Sequence, residues 1–562
     1  MLRKWGLFLF TLAVGLFLAV QASVPPAPNG ADAPLDQFSS ARAMTDVRVI
    51  AAAPHPTGSD ENAKVRAYLV ERLTELGMSV SISEGIIEGR PLERLNRWSG
   101  DSKTNQPIFN VIGVLPGNDP SKKAVLLMAH HDTVWGSPGA ADDTAGIAAI
   151  LEITRAIKNI ENRQRDLIIL FTDAEEVGLS GAVQFFKSNP LSDTVGSIIN
   201  FEARGGGGTA NMFQTSAQNG NAARLYAKSV KDPSASSLSI FVYNILPNDT
   251  DLTPALEKDN VAYNIANIGR AEYYHSPAIT ADALSESTLQ HMGSQGLDLA
   301  RTLITADSLP AKKPDATFFD LFGFFTIIYA PVWGWAFIFI AAIGYALSVR
   351  KDTDVREIGM GALKMFGFLV IGGVALYGLN IISGSNSDPN YYDRLAAIRK
   401  LEATALLASL AVFFAIFGRK LLSKNERLGI AIPFFVLGIL GQIFAPTATY
   451  FISLALILMA TASLALSRWP DTLSGSSAAC VCAAIVSGYM MFLGHFLMLG
   501  VGPNMLFIAI LPAAIAALAI LPIFPDMAKE TNNRLAVAAA FISLAIALWV
   551  RLDPIASTVP LY

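Results

Sequence analysis

Two histidines and a set of acids stand at the ends of apolar runs in the first half of the chain. His130 and Asp132 directly follow Val125–Met128, and Asp142 lies beyond a Gly-containing loop. Glu175 and Glu176 follow Leu167–Phe171, Glu202 follows Val195–Phe201, and His275 lies in the loop after Val261–Ile268. Imidazole and carboxylate are ordinary zinc ligands, and one carboxylate can bridge two ions about 3.5–4 Å apart. His130, Asp142, Glu176, Glu202 and His275 match what a metal pair needs: a bridging acid, then one imidazole and one further carboxylate for each ion. Glu175 is left over beside Glu176 and is the obvious general base. Asp132 lies two residues from His130 and can accept the hydrogen bond of the ring nitrogen that does not bind metal. Each group alone has a plainer reading. A Glu-Glu pair is most often solvated helix surface, and Asp142 could cap the helix that follows it. The set is far more specific than any member.

Such groups need rigid elements behind them. The four runs read as buried strands, because parallel strands covered on both faces lose the polar alternation. Asp60–Leu76 reads as an amphipathic helix with Val65, Tyr68, Leu69, Leu73 and Leu76 on one stripe, Thr57 or Ser59 as its cap and Gly77 as its stop. Phe109–Leu115 is a further strand, and Ala145–Ile153 a helix. Strands alternating with helices argue for a sheet covered on both faces, with chemistry at the strand ends. His55 lies in a turn and gets no ligand role.

The 562 residues are 52% hydrophobic and 16% charged, too apolar for a soluble enzyme of this length. The net charge of -4 gives no case for nucleic acid. Cys480 and Cys482 are both inside an apolar run, so no disulfide framework is expected. Residues 1–22 carry Arg3 and Lys4 and then an apolar run, which reads as an N-terminal membrane helix or a signal peptide. Residues 23–44 read as a linker, 45–310 as a soluble domain, 321–550 as a membrane domain of about eight helices beginning with a span at Leu321–Val349, and 551–562 as a tail. Pro331, Pro433 and Pro512 inside the spans imply kinks.

Basic residues orient the spans. Arg350, Lys351 and Arg356 share one loop, and Arg419, Lys420, Lys424 and Arg427 another; Arg468 and the pair Lys529 and Arg534 mark two more. With the N-terminus in the cytoplasm all four loops fall inside, although the outer loop Ser383–Lys400 carries Arg394, Arg399 and Lys400. The soluble domain and Tyr562 are then non-cytoplasmic: the periplasmic face of a bacterial inner membrane, or the lumen of a vacuole or endoplasmic reticulum. His495 and Asn504 are the notable polar residues of the spans.

Five segments resemble the M28 metallopeptidases: A-H-H-D-T-V at 129–134, S-P-G-A-A-D-D at 137–143, D-A-E-E-V-G-L-S-G-A at 173–182, N-F-E-A-R-G at 200–205 and Y-Y-H-S at 273–276. The layout is similar to the multi-pass branch that includes fungal vacuolar membrane proteases and endoplasmic reticulum metallopeptidase 1. The resemblance implies a zinc-exopeptidase-like α/β/α sandwich with a mixed central sheet, followed by a polytopic all-helical membrane domain. It implies two Zn2+ ions, one held by His130, Glu202 and Asp142, the other by Asp142, Glu176 and His275. Glu175 is then the general base and Asp132 the orienting acid, while His131 takes a variable position. Ala141 stands where many members have Asn, Glu202 where Asp is commoner, and Ile279 where an Asp is usual, with Asp282 nearby. The expected activity is that of a membrane-anchored peptidase acting on peptides, most simply an aminopeptidase. A carboxypeptidase or dipeptidase using Arg204 or Arg270, an inactive receptor or scaffold, and a glutaminyl-cyclase-like transferase are the alternatives.

Overall fold

The runs that carry the acids and imidazoles become the middle of one sheet. The computed structural model describes residues 2–350, 353–387, 391–418, 422–470 and 472–553. The chain divides into two compact units. One is Val24–Ile328; the other joins the residues up to Ser23 with those from Tyr329 onward.

A first helix, α1 (Leu2–Ser23), belongs to the helical unit. The α/β unit then runs through α2 (Ser40–Ile50), α3 (Asp60–Glu75), β1 (Ser79–Ile87), α4 (Gly89–Ser99), β2 (Gln106–Leu115), β3 (Ala124–His130), α5 (Thr144–Ile157) and β4 (Leu167–Thr172). It continues with α6 (Ser180–Ser188), β5 (Val195–Arg204), β6 (Thr209–Thr215), α7 (Gly220–Ser229), α8 (Ser237–Ile245), α9 (Leu252–Ala255), β7 (Val261–Ile268) and α10 (Glu286–Thr305). Seven strands form one sheet in the order β1-β2-β4-β3-β5-β7-β6. The inner strands β4, β3, β5 and β7 are parallel, and the outer pairings β1 with β2, β2 with β4 and β6 with β7 are antiparallel. The sheet is therefore mixed.

Both faces of the sheet are covered. Val125, Leu127 and Ala129 pack into a core with α2, α5 and α10, while Leu126 and Met128 pack on the other side with Ala182, Phe185 and Phe186 of α6. This alternation is the strand period of two, with both sets buried, and explains the continuous apolar runs. Each buried Leu or Ile contributes about 1.5–3 kcal/mol. At α3, Ser59 accepts a hydrogen bond from the Asn62 N–H, and Gly77 stops the helix at φ +84°.

Residues 23–44 are not a free linker. Gln290 Oε1 accepts from the N–H groups of Asn29 and Ser40, both at 3.0 Å, and Arg42 pairs with Glu152 at 2.8 Å. Phe38, Ala43, Met44 and Val47 are buried in the same core, so these apolar side chains tie the segment down.

The expected span at Leu321–Val349 begins later. β8 (Thr317–Asp320) and β9 (Thr326–Tyr329) pair as a small sheet around a turn at Phe322 and Gly323, with φ +55° and +77°. The Asp320 carboxylate holds that turn through the Gly323 N–H at 2.8 Å. Its apolar composition, F-F-D-L-F-G-F-F, conceals the hairpin from a hydropathy reading.

The helical unit contains α11 (Trp333–Ser348), α12 (Val355–Ser383), α13 (Tyr391–Leu395), α14 (Ile398–Phe417), α15 (Lys424–Gly429), α16 (Ile432–Phe444), α17 (Tyr450–Arg468), α18 (Leu473–Val501), α19 (Ile510–Ile520) and α20 (Lys529–Leu552). Among the described residues, eight helical spans including α1 are long and apolar enough to cross a bilayer, and α11 is a shorter apolar helix of 16 residues. The chain is a polytopic membrane protein. Pro433 and Pro512 stand in the first turns of α16 and α19, at breaks within longer spans. His495 meets Glu402 of α14, Nδ1 to Oε1 at 2.6 Å. Lys351, Arg419, Lys420 and Tyr562, on which parts of the orientation rest, lie outside the described residues.

Candidate metal centre

Parallel strands deliver the site because their ends open on the same edge of the sheet. His130 is the last residue of β3, and Thr172 of β4 is its register partner. Glu175 and Glu176 follow β4 in a turn, and Glu202 lies within β5 rather than beyond it. Asp142 follows the loop after β3. The side chain of Asp143, not Asp142, caps α5 by accepting from the Gly146 N–H at 3.2 Å. The Asp142–Asp143 peptide bond is cis.

Asp142 stands between the two imidazoles with one oxygen toward each. Its Oδ1 lies 3.1 Å from His130 Nε2, and its Oδ2 lies 3.2 Å from His275 Nε2. His275 Nε2 is also 3.3 Å from Glu176 Oε2. Three groups bring their ligand atoms within 4.8 Å of one another: His130 with Asp142 and Glu202, Asp142 with Glu176 and His275, and His130 with Glu175 and Glu176. All of these except half-buried Glu175 are buried.

The charge pattern asks for cations. Burial pushes the Glu202 carboxyl up to about 8, against the attraction of His130. Burial also drives Glu175 well above the carboxylate range, with Glu202 and Glu176 adding to the rise and His130 opposing it. Burial opposes the ionised form of Asp142 too, but His130 and His275 outweigh it and hold that carboxyl low. Uncompensated buried acids of like charge are costly. A donor set of two imidazoles and several clustered carboxylates fits divalent zinc by ligand type. The residues present can chelate metal.

Asp132 faces His130 and also does a second task. The ring nitrogen Nδ1 of His130 faces the backbone oxygen of Asp132 at 2.9 Å, and the Asp132 carboxylate is more distant at 3.6 Å. That carboxylate also accepts the backbone N–H groups of Glu175, at 3.0 Å, and Glu176, at 3.2 Å. It holds the turn carrying both glutamates.

Other residues sort themselves by their partners. His131 is tied to Asn62 and to the Phe109 carbonyl, and His55 to the Ala53 carbonyl, both as buried structural groups. Burial lowers the His55 imidazole to about 4, so it is neutral at ordinary pH. Arg270 donates to the Ala283 carbonyl at 2.9 Å and stacks on Tyr273, a structural use. Arg204 lies over the Tyr274 ring, which stacks on His275. Ile279 is buried in the core, and Asp282 is exposed and does not replace the missing acid.

Sequence reasoning missed two residues at the site. Arg94 donates to the Glu176 carbonyl at 3.1 Å. Asp251 is fully buried, accepts from the Thr172 hydroxyl, and is pushed up to about 7 by burial, the nearby His130 opposing. The signal was faint: an acid in a loop with no apolar run directly before it.

A mixed seven-stranded sheet thus carries a cluster of His, Asp and Glu at the ends of its parallel strands. Residues 110–300 match the model of Peptidase family M28. The chain is homologous to endoplasmic reticulum metallopeptidase 1 of Mus musculus, 28% identical over 337 residues, which are 58% of this chain and 37% of that protein. It is likewise homologous to the vacuolar membrane protease of Saccharomyces cerevisiae, 31% identical over 372 residues, covering 63% of this chain and 38% of that one. The chain thus spans little more than a third of the length of these relatives. Among solved structures it is similar to an aminopeptidase from Aneurinibacillus sp. strain AM-1, with a TM-score of 0.40 and 13% identity over 50% of this chain and 98% of that one. Similarity to the Porphyromonas gingivalis glutaminyl cyclase has a TM-score of 0.38 and 18% identity, over 47% and 98%.

Proposed function

We propose that the chain is a membrane-anchored di-zinc peptidase, with the α/β unit on the non-cytoplasmic side releasing residues from the N-termini of peptides. The observation that carries this reading is Asp142, whose two oxygens face His130 and His275 separately. One ion would be held by His130, Asp142 and Glu202, and the other by Asp142, Glu176 and His275. Bound zinc supplies a Lewis acid for the scissile carbonyl and lowers the pKa of water.

The remaining work falls to the chain. Glu175, left out of both ligand sets, takes the proton of the attacking water on its carboxylate and returns it to the departing amine. Asp132 fixes the backbone of residues 175 and 176, so the base and its neighbouring ligand keep their spacing. The buried cluster excludes bulk water and makes each charge interaction stronger than it would be at the surface.

Two measurements on detergent-purified protein test this. Elemental analysis should give two zincs per chain. A panel of short peptides should be cut one residue at a time when the N-terminal amine is free, and not when it is acetylated. Release from the other end would replace the aminopeptidase with a carboxypeptidase and point to Arg204. Zinc binding without any hydrolysis would leave a receptor. Cyclisation of N-terminal glutamine by a one-zinc protein would make it a transferase.

A further inference from the structure

A buried amide ladder crosses the sheet immediately behind Glu202. Asn200 of β5 and Asn264 of β7 are register partners, so they lie on the same face, and Glu202 shares that face two residues on. Asn264 is in turn the register partner of Gln214 on β6. The side chains meet. Asn200 Nδ2 lies 3.4 Å from Glu202 Oε1 and donates to Asn264 Oδ1 at 3.0 Å. Asn264 Nδ2 donates to Gln214 Oε1 and to Thr250 Oγ1, both at 2.9 Å. Both asparagines are fully buried, and Gln214, Thr250 and Glu202 are nearly so.

The ladder ends on the loop that carries Asp251. Thr250 Oγ1 also accepts from the Leu252 N–H at 3.3 Å, which fixes the backbone on either side of Asp251. Asp251 then receives the hydroxyl of Thr172, the residue paired with His130 across β3 and β4. One chain of contacts therefore joins Glu202 to the strand pair that carries His130, and Asn264 is its branch point. Amides cost free energy when buried unless they are hydrogen-bonded. A sheet interior needs no such ladder for packing, and apolar side chains fill the neighbouring positions Ile198 and Ala262 on the same face.

We propose that Asn264 is a positioning residue of the metal centre, orienting Glu202 through Asn200 and holding the Asp251 loop through Thr250. This rests on the reading of Glu202 as a ligand. Outer hydrogen bonds of this kind fix the angle of a ligand carboxylate, and their loss typically weakens metal binding by about 10–100-fold.

The test uses the full-length protein and three variants. Asn264→Leu keeps the branched shape and removes both hydrogen-bonding functions. Thr250→Val cuts only the branch to the loop and serves if Asn264→Leu does not fold. Gln214→Met cuts the branch that leads away from both acids. Zinc affinity is read by competition with a chromophoric chelator, and the ligand field by the visible spectrum of the cobalt(II)-loaded protein. Asn264→Leu should weaken the binding of zinc at least about 10-fold and alter the cobalt spectrum, with Thr250→Val partway. Gln214→Met should match the parent in both readings, even where its melting temperature falls equally. If Asn264→Leu and Gln214→Met bind zinc alike and give the parent spectrum, the ladder is structural only and the proposal is overturned. A parent protein that binds no zinc at all would instead remove the reading on which the proposal rests.

Discussion

Asp132 shows that one residue can have more than one task. An acid two positions after a histidine suggests a partner for the imidazole, and here the backbone carbonyl of Asp132 lies nearest the ring at 2.9 Å with its carboxylate at 3.6 Å. Its carboxylate satisfies two N–H groups in the glutamate turn, one buried and one partly so, and a buried donor left unmade costs about 1–3 kcal/mol. Asp132→Ala should therefore destabilise the α/β unit by about 2–4 kcal/mol. Thermal unfolding followed with and without chelator separates the tasks. A loss of stability in both conditions fits the turn, whereas a loss only in the zinc-loaded protein would return Asp132 to the service of His130. The metal-ligand candidates were legible because each stands in or beyond the end of an apolar run and has a chemically specific side chain. Asp251 was not, because its meaning depends on Thr172, 79 residues away in sequence.

At the scale of elements, the four inner strands were readable from their mostly apolar runs, unbroken in β3 and β4 and interrupted in β5 and β7 by Ser197, Asn200, Asn264 and Asn267. The edge strands β1, S-V-S-I-S-E-G-I-I, and β6, T-A-N-M-F-Q-T, mix polar and apolar residues and carry no such signal. The β8–β9 hairpin was hidden by its apolarity, and it holds a titratable device of its own. Burial pushes Asp320 up to about 6, while the N–H groups of Gly323 and Ala235 pull the other way. An acid raised in the folded state makes a contribution that is full below its unfolded pKa, about 3.9, and fades as pH rises through about 6. Relative to the parent, Asp320→Asn should gain stability between pH 4 and 7, by at most about 3 kcal/mol. Melting temperatures of both proteins across that range give the answer, and a pH-independent difference between them would contradict it. In the helical unit, α1 packs on α18 where Gly15 meets Gly488. A Cβ on Gly488 would lie 2.7 Å from the Gly15 carbonyl oxygen. Gly488→Leu should cost about 1–3 kcal/mol by overpacking, visible as a lower aggregation temperature in detergent, whereas Gly500→Leu, which has open space, should not.

At the scale of the whole molecule, the sequence divides sharply into a peptidase-like half and an apolar half, and the structure divides into two units with the first helix joining the later ones. The basic loops predict a membrane orientation that can be tested from either side. A single cysteine at exposed Lys64, in a background lacking Cys480 and Cys482, should react with an impermeant maleimide from the non-cytoplasmic side. A cysteine at Asp354, beside Arg350 and Arg356, should react only from the cytoplasm. Labelling of both from one side would overturn the orientation. In the proposed mechanism the chemistry depends on separating ligands from base. The most direct measurement is peptide hydrolysis by zinc-loaded Glu175→Gln, with metal content determined on the same sample. Two zincs retained and a rate lowered at least about 10²-fold is the expected result, because Gln keeps the size of the side chain and loses only its basic oxygen. Hydrolysis at the parent rate with both zincs bound would contradict the assignment of Glu175 as the base and the peptidase mechanism built on it.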